Sequence, residues 1–444
     1  MPATSTLATA QGSRQRQREL RRVVLSSYLG ATTEFYDFLL YATASALVFG
    51  PVFFSNLDPL AALIASYGTF AAGYLARPFG GALFGHFGDR LGRKRMLLVT
   101  MFVMGIASFL IAFVPPASMI GGWGAILLVT LRVVQGVAIG GEWGGAALMS
   151  LEHAEARNRG FAASFTNAGA PSGALFGTLA MAIVGFLPQD QFLAWGWRIP
   201  FALSALLLVL GLWVRRRVQE SPVFAEGLRR AELDQASAPT VPLLLVLRRP
   251  RVLVLATLAA VAVFGLQVVI PTFAVSYSVA AGNARSSVLF AQTAGSLVGI
   301  GAVIGFGFLS DRLGRRPVMI AGLLGCAATV FPMFAWWGSA NMALVILAFV
   351  TGALTQGAIY GPLAAFITEQ FGTQARYTGA SLGYQVATLL GAGLTPTILA
   401  SLYASSGGNI TRPGAYLVVL CMVSLVAVLL TRESRDNDLN RMQH

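Results

Sequence analysis

Residues 85–95 read GHFGDRLGRKR, and residues 307–317 read GFLSDRLGRRP. Their acids, Asp89 and Asp311, lie half a chain length apart. Two further features recur in the same order in each half of the chain: the pairs Glu152 with Arg159 and Glu369 with Arg376, then RRRVQES at 215–221 and LLTRESR at 429–435. Features repeated in order predict two related halves that arose from one ancestral unit.

The composition of the chain is that of a membrane protein. It is 56% hydrophobic and 11% charged, with a mean hydropathy of +0.69, whereas soluble domains carry about 25% charged residues. Apolar runs such as 252–279 reach the roughly 17 to 25 residues that cross a bilayer as a helix. Strands of a barrel would instead show short alternating segments. The sequence therefore predicts an all-α, multi-pass membrane protein.

Twelve spans are predicted, six in each half. They are placed at 23–50, 61–85, 96–114, 123–150, 160–187, 195–214, 252–279, 287–309, 317–338, 341–368, 378–403 and 413–431. The predicted divisions are a cytoplasmic tail at 1–22, a first half at 23–214, a cytoplasmic linker at 215–251, a second half at 252–431 and a cytoplasmic tail at 432–444. The first span is too long for a signal-peptide core, so we interpret it as an uncleaved helix.

The net charge of +13 reflects topology. Of the 31 Lys and Arg residues, all but five fall on the side that both termini and the 85–95 and 307–317 loops share. The exceptions are Arg77 and Arg132 within spans, Arg198 at a boundary, and Arg285 and Arg412 in loops on the other side. Basic residues concentrate on the cytoplasmic side, so both termini are predicted to be inside. Charge distributed in this way does not indicate nucleic-acid binding.

The repeated pattern G-x-x-x-D-R-x-G-R-[KR] resembles the signature loop of the major facilitator superfamily, where it stands between the second and third helix of each half. EFYDF at 34–38, WGWRIPF at 195–201 and RYTGASLGYQVA at 376–387 are similar to the metabolite:proton symporter branch. That branch includes carriers of shikimate, 2-oxoglutarate, citrate and proline/betaine, and 85–152 most resembles its shikimate-type members. The resemblance implies the major facilitator fold and secondary transport across a bacterial inner membrane.

The repeated loops are predicted to gate the transporter. Their acids can accept hydrogen bonds from the N-terminal amides of a facing helix, while Gly residues allow close approach and the basic residues stay in the cytoplasm. The predicted gating residues are Asp89, Arg90, Arg93, Asp311, Arg312, Arg315, Glu152, Arg159, Glu369 and Arg376. The alternative is that the loops only anchor the topology of the chain.

Five charges fall inside the predicted spans, and all lie in the first half: Glu34, Asp37, Glu142, Arg77 and Arg132. A charge at the bilayer centre costs about 2.5 to 3.5 kcal/mol, so such groups should face partners or a water-filled cavity. Three acids against two bases leave one carboxyl without a cationic partner. Burial raises the pKa of such a carboxyl, which suits it to carry a proton.

Counting helical rise places Glu34, Arg77 and Glu142 in one layer, with Asp37 and Arg132 above it. In sugar symporters and other proton-coupled relatives, an acid on helix 1 faces an Arg on helix 4, and Asp37 and Arg132 match those positions. We therefore predict Asp37 as the proton-coupling site. Glu34 and Glu142 are the alternatives, because charge counting favours the lower layer.

The predicted mechanism pairs ionised Asp37 with Arg132, which protonation would release to bind a substrate carboxylate. The alternative is a fixed ion-pair cluster that ties helices together, and Arg77 is predicted to support such a pair or the helix packing. Further predicted substrate contacts are Tyr36, Tyr41, Gln135, Trp143, Gln267, Gln356, Tyr360, Tyr384 and Gln385, with Gln292 as another uncharged polar candidate. Packing and interhelical hydrogen bonds are the other interpretation of these residues.

These observations predict proton-coupled uptake of a small organic acid such as shikimate, by a chain that functions as a monomer. Uptake of a zwitterionic osmolyte is an alternative. A drug:proton antiporter is a further one, although GAPSG at 169–173 departs from the antiporter signature Gly-Pro-x-x-Gly-Gly. An enzyme, a cofactor or a metal site is not expected, because no ligand-spaced cluster and no nucleotide-binding loop occurs. Cys326 and Cys421 are interpreted as packing residues.

Overall fold

The structure consists mainly of long apolar helices, as expected for a backbone that must satisfy its own hydrogen bonds inside a bilayer. The computed structural model describes residues 3–91, 93–140, 158–216, 246, 250–372 and 376–435. Within these ranges, the side chains of 3–23, 82, 85–91, 93–95, 97, 213–216 and 377 lie outside the description. The described residues form helices and connecting turns without a strand, which confirms the all-α prediction for this part of the chain.

The helices are labelled in chain order. The continuous ones are α1 (Ala3–Leu47), α2 (Pro59–Leu91), α3 (Arg93–Ile111), α4 (Trp123–Gly140), α5 (Arg159–Val184), α8 (Arg285–Leu313), α9 (Arg315–Trp337), α10 (Met342–Glu369) and α12 (Thr411–Leu430). Three others consist of consecutive segments: α6 (Gln189–Gln191, Phe192–Gly196, Arg198–Ala202 and Ser204–Arg216), α7 (Pro250–Val269, Ile270–Ala274 and Val275–Ala280) and α11 (Arg376–Thr388, Leu389–Gly393 and Thr395–Ser405). Short helices at Phe49–Phe53 and Ala117–Ile120 lie in connections.

Ten helices in the described ranges are long and apolar enough to cross a membrane, each at a predicted span. The two remaining predicted spans, 23–50 and 96–114, coincide with helices α1 and α3. Large apolar side chains such as Phe79, Phe186 and Trp123 are exposed, as expected for surfaces that face lipid tails. Twelve crossings and cytoplasmic termini stay predictions.

Helices α6, α7 and α11 each contain one π-helical turn, at Phe192–Gly196, Ile270–Ala274 and Leu389–Gly393. Such turns widen the backbone locally and are frequent at functional sites. In α7 the turn contains Pro271, which lacks the N–H of a regular helix and so fits this break.

Helices α5 and α8 form a close seam between the two halves. A Cβ atom placed on Gly307 of α8 would lie 2.4 Å from the Cβ of Ser164 on α5, and one placed on Gly299 would lie 3.3 Å from Pro171. At Gly307 a Cβ could not be accommodated without a shift of the helices, whereas at Gly299 the contact would be merely tight. Motion of one half against the other must therefore open or slide this seam.

Candidate functional site

A small cavity lies between α1, α5, α7, α8 and α10, where the two halves meet. Its volume is about 30 Å³, enough for about two or three waters, since each needs roughly 10 to 15 Å³. Three carboxamides and two prolines line it beside apolar and small side chains: Gln267, Gln292, Gln356, Pro171, Pro271 and Leu39 are among the lining residues. Two predicted contacts, Gln267 and Gln356, are therefore brought together.

The carboxamides of this cavity have unused hydrogen-bonding capacity. Gln292 is 1% exposed, and neither its Nε2 nor its Oε1 has a hydrogen-bond partner. The Nε2 of Gln267 is buried and unpartnered as well. A buried polar group without a partner costs about 1 to 3 kcal/mol. These amides are thus placed to bind hydroxyl or carboxylate oxygens of a molecule that enters the cavity.

Two tyrosines stand beside the cavity in the second half. The hydroxyls of Tyr360 and Tyr384 are 3.4 Å apart, and both rings meet Phe264 edge-on. Tyr360 follows the cavity-lining Gln356 by about one turn of α10. The predicted contacts Tyr360 and Tyr384 therefore lie next to the cavity lining.

Hydrogen bonds join the two halves on both sides of the cavity. We call the end that carries 85–95 and 307–317 the inner end, and the opposite one the outer end. Towards the inner end, Asn167 Nδ2 donates to Tyr360 O at 2.7 Å, and Gln385 Nε2 donates to Gly140 O at 3.3 Å. Towards the outer end, the hydroxyls of Tyr67 and Ser276 are 2.9 Å apart. In this conformation the two halves are thus hydrogen-bonded to each other towards both ends.

Asp37 is buried inside the first half, with 3% of its surface exposed. Ser204 of α6 donates to its Oδ1, and Ser108 of α3 lies beside the carboxyl group with its hydroxyl donating to Met104 O at 3.0 Å. Glu34 is half-buried one helical turn away, and both acids border a second cavity of about 10 Å³ between α1, α3 and α6. Two of the three predicted acids are thus neighbours on one face of α1.

Arg132 is fully buried and lies on a bed of aromatic rings. Its guanidinium carbon is 3.8 Å from the ring centre of Phe38, 4.1 Å from that of Tyr41 and 4.7 Å from that of Phe70. Its Nη1 donates to Gln135 Oε1 at 3.0 Å, while Nε and Nη2 have no hydrogen-bond partner. Cation–π contacts of this kind are worth about 2 kcal/mol when desolvated.

The predicted ion pair between Asp37 and Arg132 is not formed in this conformation. Instead, Gln135 Nε2 donates to Ser108 Oγ at 2.7 Å, and Ser108 contacts Asp37, so Gln135 and Ser108 join the two charges. Arg132 turns to the rings because α2 and the Phe38 face of α1 pack beside it. Helical rise gives the depth of a residue but not the rotation of its helix, and the rotation decided this contact.

Arg77 is the second buried cation of the first half. Its guanidinium carbon lies 4.4 Å from the ring centre of Phe38 and 4.2 Å from that of Tyr74. The Phe38 ring therefore contacts both cations. Arg77 and Arg132, which were predicted to lie in separate layers of charge, meet at this ring.

Other predicted contacts lie away from the cavity. The Tyr36 hydroxyl donates to Pro200 O at 2.8 Å within the first half, and the Tyr41 hydroxyl donates to Thr69 Oγ1 at 2.8 Å. Both therefore serve packing in this conformation. Glu142, Trp143 and Glu152 lie outside the described residues, as do the side chains of Asp89, Arg90 and Arg93.

A buried ionic network lies at the inner end of the second half. Asp311 Oδ1 accepts from Gly160 N at 2.9 Å and Oδ2 accepts from Phe161 N at 2.8 Å, at the start of α5. Arg315, predicted as an aqueous loop residue, is instead fully buried, 2.6 Å from Asp311 and 3.4 Å from Glu369. The predicted contact of Asp311 with a facing helix end is confirmed. Its role as a gate stays a prediction.

The remaining predicted gating residues surround this network. Arg312 is exposed, with its guanidinium 4.5 Å from the Phe308 ring centre, and Arg376 Nε donates to Phe371 O at 3.3 Å. Arg159 begins α5 and contributes to the electrostatic environment of Glu369. Sequence reasoning missed Glu433, which accepts from the first amides of α9 at 3.0 and 2.9 Å. The recurrence of Glu-Ser near both helix ends, at 220–221 and 433–434, was the available signal.

Both halves of the chain match known families of transport proteins. Residues 23–241 match the family described as Sugar (and other) transporter, and residues 282–443 match the Major Facilitator Superfamily. The chain is 38% identical to the inner membrane metabolite transport protein YhjE of Escherichia coli (strain K12), over 99% of this chain and 100% of that protein. The chain belongs to the major facilitator superfamily. As a member, it is a multi-pass inner membrane transporter of metabolites, and the recognition made from its motifs is confirmed.

Other relatives of the chain include a transporter of known substrate and a transporter of known structure. The chain is 39% identical to the shikimate transporter of Escherichia coli (strain K12), over 94% of this chain and 95% of that one. The solved D-xylose-proton symporter shares the fold with a TM-score of 0.71 at 19% identity, over 92% of this chain and 96% of that one. These relatives of the chain are transport proteins rather than enzymes, in agreement with the prediction from the sequence.

Proposed function

We propose that this protein takes up a small organic acid, with shikimate or a similar hydroxylated carboxylate as the leading substrate, together with protons. The observation that carries the proposal is the pair of sites inside the molecule. One is a polar cavity lined by unpartnered carboxamides between the halves, and the other is a buried carboxyl linked to a buried guanidinium in the first half. The name of the shikimate transporter among the relatives supports this substrate class.

The cavity supports a substrate with several neutral polar groups. Amides such as those of Gln267, Gln292 and Gln356 donate and accept, so they suit hydroxyls and carbonyl oxygens. The first half also holds two buried cations, Arg77 and Arg132. A molecule with one carboxylate and a hydroxylated body would match both parts, with the carboxylate towards α1 and α2.

The hydrogen-bond chain of the first half supports proton coupling. Ser108 Oγ donates to Met104 O at 3.0 Å, and an ionised Asp37 carboxylate beside it would compete for the same hydroxyl proton. Protonation of Asp37 would turn the Ser108 hydroxyl to Met104 and alter its bond from Gln135. Because Gln135 holds Arg132, this change would free the guanidinium, whose two unpartnered nitrogens can donate to a carboxylate.

Transport then proceeds by alternating access. Substrate and proton enter from outside, the outer contacts form, and the neutralised assembly passes through an occluded conformation, closed at both ends, to the inner side. The alternative interpretation of the sequence, a fixed ion-pair cluster that ties helices together, predicts the same contacts but no change on protonation. Proton dependence therefore separates the two interpretations.

Uptake into proteoliposomes tests the function. Labelled shikimate, 2-oxoglutarate, citrate and betaine are offered with an inward proton gradient and without one. We expect accumulation of one hydroxylated acid above equilibrium only with the gradient. Accumulation of betaine instead would support the osmolyte alternative, for which proline/betaine transporters are relatives at 30% identity. Gradient-independent equilibration of every compound would contradict proton coupling.

A further inference from the structure

Arg285 reaches from one half of the molecule to the other at the outer end. It is the first residue of α8, and its Nη2 donates to Gly185 O at 3.0 Å and to Leu187 O at 2.9 Å. Its Nη1 donates to Gln189 Oε1, and its guanidinium carbon lies 3.6 Å from the Phe192 ring centre. One side chain of the second half thus binds the C-terminal end of α5 and the start of α6.

The position of Arg285 serves the neighbouring helix rather than its own. A cation at the N-terminus of a helix is opposed by the dipole of that helix, whereas at a C-terminus it satisfies orphan carbonyls and is stabilised. Arg285 begins α8 but lies at the carbonyl end of α5, whose C-cap is Gly185. Basic residues are also sparse in the outer loops. The contact with α5 is the physical reason for this charge.

The inner end of the same two helices carries the opposite arrangement. Asp311, near the end of α8, accepts from the first amides of α5. A ring pair accompanies each charge: Phe186 with Phe290 at 5.7 Å outside, and Phe161 with Phe308 at 6.0 Å inside. Helix α8 therefore holds α5 at both ends, with an acid at its positive pole and a base at its negative pole.

We propose that Arg285 is the charged clamp of the outer gate. Outward opening must separate Arg285 from the carbonyls of α5, whereas inward opening must separate Asp311 from its amides. The two side chains then set the balance between the outward and inward conformations from opposite ends of one seam. This inference rests on the alternating access of the proposed function, but it does not depend on the substrate or on proton coupling.

Two other arginines provide matched controls. Arg198 Nη1 donates to Ala112 O at 2.5 Å and to Val114 O at 3.0 Å, within the first half. Arg412 Nη1 donates to Ser405 O at 3.0 Å, within the second half. Each is an outer arginine on carbonyls at the end of a helix, as Arg285 is. Neither of these bonds crosses between the halves, so loss of either should leave the gate unchanged.

Thiol labelling measures the outer gate directly. Ser296 lines the cavity between the halves and is nearly isosteric with cysteine, so the thiol of Ser296→Cys reports access to that cavity. In the same protein Cys326 and Cys421 are replaced by Ser, so that no other thiol reacts. A membrane-impermeant maleimide is applied to the outer face of right-side-out vesicles, without substrate or gradient. We expect Arg285→Ala to raise the labelling rate roughly three- to thirtyfold. Arg412→Ala should match the parent.

Arg285→Lys keeps the charge but not the forked geometry, so it should give an intermediate rate. It also serves as the test variant if Arg285→Ala does not fold. Parental labelling rates in the folded Arg285 variants would overturn the clamp, as would an equal rise with Arg412→Ala. Because no substrate or proton gradient is present, a failure of proton-coupled uptake would leave this result unaffected.

Discussion

The substitution Asp311→Asn tests whether the inner end of the α5–α8 seam sets the conformation of the transporter. The carboxylate accepts from Gly160 N at 2.9 Å and from Phe161 N at 2.8 Å, one bond to each oxygen. Asparagine keeps one acceptor oxygen, so one of the two bonds and the negative charge are lost. Arg315 retains Glu369 at 3.4 Å and is not left as an isolated buried cation.

The expected magnitude follows from these contacts. A hydrogen bond to a charged group contributes about 1.5 to 3 kcal/mol, and each 1.4 kcal/mol is a factor of about ten in an equilibrium. The variant should therefore favour the inward conformation by roughly ten- to a hundredfold over the parent. Outward access should fall at the same time.

The assay is labelling of Ser296→Cys from the inner face, in inside-out vesicles. Asp58→Asn is the matched control, since Asp58 Oδ1 caps its own helix α2 at 3.1 Å from Leu60 N and from Ala61 N, within one half. We expect faster labelling with Asp311→Asn alone. The smallest expected effect is a rise of about tenfold in the inner labelling rate. A rate within about twofold of the parent would therefore refute the reasoning. So would an equal increase with Asp58→Asn.

Two further predictions concern the packing of α2 and the polar cavity. Gly80→Ala should lower the free energy of unfolding by about 3 kcal/mol or more, because the added Cβ would lie 1.8 Å from Val137 O. The control is Gly68→Ala on the same helix, whose Cβ meets nothing within 4 Å. Thermal unfolding in detergent compares the two variants, and equal unfolding midpoints would contradict this packing. Gln292→Leu removes no internal hydrogen bond, so the protein should fold normally while the KM for the transported acid rises roughly three- to tenfold. An unchanged KM would remove Gln292 from the binding site.

The helices were predictable because they depend on the length and apolarity of single segments. Each of the ten apolar spans in the described ranges coincides with a predicted one, and the repeated loop identified the family. The contact of Asp311 with a helix end followed from the motif as well, since the chemistry of an acid at an exposed helix junction is local.

The contacts of the buried charges were not predictable in the same way. Whether Arg132 meets Asp37 or the rings of Phe38 and Tyr41 depends on how each helix is rotated about its axis, and no local pattern fixes that rotation. Ser108 and Ser204, which bind Asp37, look like any serine in a span. Arg285 did carry a signal, because a base in an outer loop runs against the usual distribution.

The most direct test of the account is uptake by Asp37→Asn in proteoliposomes, with the substrate that the panel identifies. Gradient-driven accumulation and gradient-free counterflow are measured on the same preparation. The account predicts that accumulation is lost while counterflow persists, because the amide cannot carry the proton but still fits between Ser108 and Ser204. Undiminished accumulation in Asp37→Asn would contradict the account and transfer the coupling role to Glu34 or Glu142.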